Sequence, residues 1–371
     1  MRPSTSPSTS ITKIFLPVVL ALSLISCGGG GSSGSPGTSG TSSGTSTGGA
    51  GSTSRNLLFA TDIAHGAIGK FATLNPAPGT SFSGDVISGM HWIYPTISYD
   101  AKTDQLYAIS LDSSNPTSTG RVIAFGNAST MSANSTPSRN ITPVGYNITT
   151  SLGKFYLDKK NDTLYVIASS IPLLCGLGCS DALLVFNHAS SLNGNVKPDR
   201  VINLTITTDA INQSTINQSI EYFTIDSSRS LLYLSLNGMI FVYPNIDTAN
   251  GRIKYSRFFS VTTYDTDIAL DEARDRLYSV NTSAGLTVVN GASTASGKVT
   301  LGRLRFTTVD NNSDNTQFVT FDPQNDRLYI GAYTKAYIIN QASTIGTQNP
   351  PTAAVGIIAP EGISIGGFAF P

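Results

Sequence analysis

The feature that most constrains this chain is a phrase written five times: DAKTDQLY from Asp100, DKKNDTLY from Asp158, DSSRSLLY from Asp226, DEARDRLY from Asp271 and DPQNDRLY from Asp322. Each copy lies between two short alternating apolar runs and so reads as a tight turn joining two strands. An Asp at the first turn position can accept a hydrogen bond from the backbone two residues on, and Pro323 presets the next φ in the last copy. A hairpin recurring at intervals of roughly fifty residues signals a repeat architecture.

The runs before the turns are PTISYD, GKFYLD, EYFTID, TDIALD and QFVTFD. Ile97 and Tyr99, Phe155 and Leu157, Phe223 and Ile225, Ile268 and Leu270, and Val319 and Phe321 share one face. Ser98, Tyr156, Thr224, Ala269 and Thr320 share the other. Period two makes strands, and a large face against a mostly smaller one suits innermost strands wedged between neighbouring sheets. A second strand follows each turn, as in LYAISL and LYVIAS. A third ends in a second recurring phrase: VIAFGNAST, LLVFNHASS, IFVYPNIDT, LTVVNGAST and AYIINQAST, with IGKFATLNP as a degenerate first copy. A more polar fourth strand follows, such as DRVINLTI from Asp199, as expected at an outer edge. Four strands in about fifty residues match one β-propeller blade.

The two ends of the repeat region complete the count. Asn56-Leu57-Leu58-Phe59 is a sixth copy of the phrase's end, with no innermost strand before it. Gly366 to Pro371 aligns with QFVTFD, Phe368 and Phe370 taking the apolar positions. The expectation is an all-β, six-bladed propeller closed by its C-terminal strand pairing with the N-terminal blade.

These units resemble bacterial extracytoplasmic propellers of the NHL, YVTN and lactonase-like kind, with Leu277-Tyr278-Ser279-Val280-Asn281 as the nearest local match. The resemblance covers about residues 55–371, and Ser230 departs from the pattern where other copies have a second Asp. It implies a scaffold, a ligand binder or, in some members, a lactone hydrolase or lyase, because fold alone does not select among these.

The first 27 residues read as an export signal. Arg2 and Lys13 supply positive charge, and Ile14 to Ser26 is apolar but too short to span a bilayer as a helix. Leu24-Ile25-Ser26-Cys27 resembles a lipobox, which implies lipidation of Cys27. Gly28, in place of an Asp, favours outer-membrane residence in the cell envelope. Residues 28–54 hold only Gly, Ser, Thr, Pro and Ala, a flexible tether with a reach of roughly 30 Å. The propeller domain takes 55–371. With 23 basic and 23 acidic residues no field favours nucleic acid, so the expected partners are the membrane, through the anchor, and a protein, glycan or small ligand. A single copy is the expected state.

Chemistry is sparse. Cys175 and Cys179 in CGLGC read first as a disulfide, with free thiols or a metal site as alternatives. The repeated acids Asp100, Asp158, Asp226, Asp271 and Asp322 read as turn residues because they recur at one position in different blades. Candidate ligand contacts lie where the innermost strands begin, since those positions differ from blade to blade. Lys154, Glu221, Asp267 and Gln317 would ring one channel mouth, with His91 and Trp92 just ahead of another innermost strand. His188 sits in a turn away from the axis. The reading is a binding or scaffolding module with no cofactor. The alternative is a lactonase-like hydrolase or lyase using calcium held near Glu221 and Asp267.

Overall fold

A computed structural model describes residues 56–62, 66–76, 93–111, 120–145, 150–170, 181–206, 222–261, 267–281, 285–304, 316–332, 336–345, 355–358 and 365–371. These build six sheets around one axis, the expected six-bladed propeller. The innermost strands of blades two to six are Ile93–Asp100, Thr150–Asp158, Tyr222–Asp226, Asp267–Asp271 and Thr316–Asp322. Blade one takes its innermost strand from the far end of the chain. Ile365–Ala369 runs antiparallel to Leu58–Asp62, with Phe59 opposite Ala369 and Ala60 opposite Phe368. Gly367 N–H also donates to Thr61 Oγ1 at 2.8 Å.

The wedge pattern read from the sequence becomes six apolar clusters, each at one junction between blades. Between blades two and three, Tyr107, Ile109 and Val122 meet Phe155, Leu157 and Leu164. Between six and one, Tyr329 and Ile338 meet Leu58, Phe368 and Phe370. The aromatic that ends the phrase is the fixed member of each wedge. Phe59 meets Tyr99 at 5.0 Å between ring centres, Tyr278 meets Phe321 at 5.4 Å, and Tyr329 meets Phe368 at 5.5 Å.

The two recurring phrases turn out to be halves of one clasp. The second Asp of the first phrase adopts a left-handed backbone, with φ of 53° at Asp104 and 50° at Asp162. Its carboxylate accepts two hydrogen bonds from the Ser of the second phrase. Ser129 N–H and Oγ–H reach Asp104 at 2.9 and 2.8 Å, and Ser190 reaches Asp162 at 2.8 and 2.7 Å. Ser293 with Asp275 and Ser343 with Asp326 repeat the pair. The first Asp organises its own turn, as expected: Asp322 Oδ1 accepts Gln324 N–H at 3.0 Å and Asn325 N–H at 3.1 Å, and Asp158 Oδ1 accepts Lys160 N–H at 3.1 Å and Asn161 N–H at 3.0 Å.

Blade four departs from the pattern and yet keeps the clasp. Ser230 stands where the acid should be, and Asp247 stands where the Ser should be. Asp247 N–H donates to Ser230 Oγ at 3.1 Å, and Ser230 Oγ–H donates to the Asp247 carboxylate. Donor and acceptor have changed places. Ser230→Asp alone should therefore oppose two carboxylates and cost about 1 to 2 kcal/mol in urea unfolding. Combining it with Asp247→Ser should restore stability to within about 0.5 kcal/mol. A double variant no more stable than the single one would show that the exchange does not preserve the clasp.

Strand number departs from the expected four. Among the described residues the sheets hold three strands in blade one, five in blades two to four, and four in blades five and six. The fifth strands are short straps from the chain of the following blade, laid parallel on an outer edge. Gly194–Val196 lies on Arg139–Pro143, Gly251–Lys254 on Arg200–Thr205, and Gly297–Lys298 on Arg257–Ser260. Each strap opens on a glycine in the left-handed region, with φ of 73°, 73° and 66°, and no neighbour lies within 4 Å of where a Cβ would stand. The backbone angle, not space, asks for glycine there.

Cations bolt each blade to the next. Arg139 donates to the carbonyls of Ala189 at 2.9 Å and Leu192 at 2.7 Å, and Arg200 does the same to Ile246 at 2.9 Å and Ala249 at 2.7 Å. Arg257 reaches Ser293 O, Arg276 reaches Ile345 O at 2.5 Å, and Arg327 reaches Leu74 O at 3.1 Å. Lys70, donating to Met131 O at 2.7 Å, joins blades one and two. Six of the chain's 23 basic residues are thus committed to holding the ring.

Candidate functional site: the central channel

The six innermost strands surround a cavity of about 730 Å³. Its walls include Ser98, Tyr156, Thr224, Ala269 and Thr320 from the smaller strand faces. The two ends are built differently.

At the end where the innermost strands begin, the structure joins two of the residues singled out from the sequence. Lys154 of blade three reaches across to blade five and forms an ion pair with Asp267. Asp267 is buried, and both of its oxygens have backbone partners as well. Oδ1 accepts Ile268 N–H at 2.9 Å, and Oδ2 accepts Val319 N–H of blade six at 3.0 Å. The pair is a crossbar tying three blades together, so neither residue presents a free charge to a ligand. Gln317 lines the cavity beside them and is half-buried. Glu221, His91, Trp92, Cys27, Cys175 and Cys179 lie outside the described residues. Among the described residues no three His, Cys, Asp or Glu side chains come close enough to hold a metal ion. His188 caps a short turn with φ of 55° and is exposed, as its place in the second phrase implies.

The opposite end is formed by the turns of the first phrase, and here the residue after the leading Asp faces the channel. That position holds Lys159, Ser227, Glu272 and Pro323 in blades three to six, and all four line the cavity. Ser227 sits at the centre of a bonded group. Its Oγ–H donates to Asp158 at 2.8 Å, and its N–H donates to Glu272 at 3.4 Å. Ser228 N–H adds a second bond to Glu272 at 3.3 Å. Burial pushes the Glu272 carboxyl up, and the charges of Asp226 and Asp158 add to this against the two N–H donors. Burial likewise raises Tyr156 far above the usual phenol, helped by the Glu272 charge.

Lys159 differs from its neighbours. Its Nζ crosses the lumen to blade one, donates to Phe370 O at 3.2 Å, and lies 5.9 Å from the centre of the Phe370 ring. The side chain is wetted by the open channel, yet protein walls surround it. That enclosure lowers its pKa to about 8, although the carboxylates of Asp100 and Asp322 pull the other way.

No protein-family model and no curated protein matches this chain. A solved structure of similar fold comes from a crystal structure of a nidogen/laminin complex. It shares 12% identity, with 84% of this chain and 97% of that chain aligned at a TM-score of 0.48.

Proposed function

We propose that the protein is a binding module that takes a small ligand in its central channel, held to the cell envelope by a lipid on Cys27. The observation that carries this reading is the cavity itself. Its volume falls within the range of roughly 300 to 1,000 Å³ typical of small-molecule sites, and polar groups interrupt its walls at each end. The repeated acids do not compete with this reading, because their oxygens are spent on their own turns, on the clasps or, for Asp158, also on Ser227 of the next blade. Asp267, one of the two acids on which a hydrolase would draw, has both oxygens engaged as well. The composition of residues 28–54, only Gly, Ser, Thr, Pro and Ala between Cys27 and the first repeat, supports the anchored part of the proposal.

A screen of small-molecule fragments against the full chain, read by protein NMR, tests the site. Fragments should bind the native protein and be lost with Thr320→Trp, which fills the channel wall, provided that variant keeps the native melting temperature. An empty screen, or fragments that bind both proteins equally, would sink the reading.

A further inference from the structure

We infer that the turn end of the channel is a binding site for a small monocarboxylate with an apolar body, whose head group is received by Lys159. The inference rests on the channel reading above and assigns that channel a ligand class and an entrance.

Both ends of the lumen are crossed by a lysine of blade three, and the two are held very differently. Lys154 is paired with a buried carboxylate, so freeing it would leave Asp267 uncompensated. Lys159 makes no ion pair among the described residues. One of its three N–H groups goes to the Phe370 carbonyl, and the ring beneath it adds a weak attraction. A single hydrogen bond of this kind is worth little once an anion offers a stronger one. The first lysine is fixed by its buried partner, and the second is held only by a single carbonyl.

The surrounding charges set the valence of the ligand. Asp100 and Asp322 are turned into their own loops, where Lys102 N–H reaches Asp100 at 3.0 Å and Gln324 N–H reaches Asp322 at 3.0 Å, and Asp158 is shared between its own loop and Ser227. Glu272 lies on the same lining, engaged by Ser227 and Ser228. Lys160 is exposed at the rim. With Asp100 and Asp322 already acting on the Lys159 ammonium, this end of the channel resists a second negative charge on a ligand, which favours a carboxylate over a phosphate monoester. Burial lowers the Lys159 pKa despite those two carboxylates, and a ligand carboxylate bonded directly to its spare N–H groups relieves that cost. Above the head group, Phe370, Tyr156, Leu270 and Pro323 provide apolar wall for the body.

Sodium octanoate, 1-octanol and octyl phosphate, titrated into the full chain at pH 7 and followed by calorimetry, test this. Octanoate should bind at least tenfold more tightly than the other two. Lys159→Met, or Lys159→Gln if the first variant melts early, should remove that tenfold advantage and leave octanol unchanged. Lys159→Arg should recover part of it. Octanoate binding that is absent, or equal in the native protein and both variants, overturns the inference, and so does a preference for octyl phosphate. Neutral fragments that occupy the channel while octanoate does not would leave the channel reading standing and remove this one alone.

Discussion

A chain lacking residues 366–371 should lose its cooperative thermal transition. The segment carries most of the innermost strand of blade one, and its pairing with Leu58–Asp62 is what closes the ring. Phe368 and Phe370 are buried, and each stacks on Tyr329 of blade six, at 5.5 and 5.4 Å between ring centres. Burying two such side chains is worth about 3 to 5 kcal/mol each by the cost of truncating them. That is comparable to the whole stability of an ordinary domain, about 5 to 15 kcal/mol. The loss also opens the lumen beside Lys159, whose hydrogen-bond partner is Phe370 O. Near-ultraviolet circular dichroism during heating provides the measurement. A truncated protein melting within a few degrees of the native one would refute closure as the keystone of the fold.

Lys154→Ala should be the most damaging single substitution in the channel. The change leaves Asp267 buried with two backbone N–H donors and no cation. Breaking one side of a buried pair costs about 3 to 5 kcal/mol, and the lower end suits this pair, because the Lys154 side chain keeps 16% of its exposure. Replacing both partners, with Lys154→Met and Asp267→Asn together, should recover at least half of the loss, since the buried charge disappears with its partner. Urea unfolding of the two singles and the double gives the coupling. A loss below about 0.5 kcal/mol for Lys154→Ala would mean that the crossbar bears no load.

How much of this could be read in advance follows from what repeats. The blade count was legible because the aromatic ending the phrase must fill the same wedge at each junction, from Phe59 to Tyr329. Phe368 was legible for the same reason, as a wedge residue displaced to the far end of the chain. The clasp was half-legible: both phrases were visible, but their bond joins residues such as Asp104 and Ser129 across two strands, and no spacing rule announces it. Ser230 looked like an erosion of the pattern until Asp247 stood beside it.

The channel was read at one end and missed at the other. Lys154 and Asp267 stand out in sequence because strand starts differ between blades, but sequence gives no distance across a lumen. Their difference is complementary, and it cancels. The same criterion, applied one residue past the leading Asp, would have isolated Lys159, Ser227, Glu272 and Pro323. Those residues are hard to see in sequence because they sit inside a phrase whose other positions are structural. The straps, too, had a signal. Gly194, Gly251 and Gly297 each fall five residues after the small or branched residue that opens the second phrase's turn, at Ala189, Ile246 and Ala292.

Those straps give the ring an order of assembly. A chain made from its amino end completes the hydrogen bonding of blade two only when residues 194–196 emerge, of blade three only with 251–254, and of blade four only with 297–298. Each of these three blades therefore waits, one edge unpaired, until three strands of its successor have been made, and the first blade waits for the last residues of all. An open edge is an invitation to pair with the wrong chain. Growth by deferred sewing keeps that exposure to about one blade's edge at a time, apart from the seam that stays open until the end.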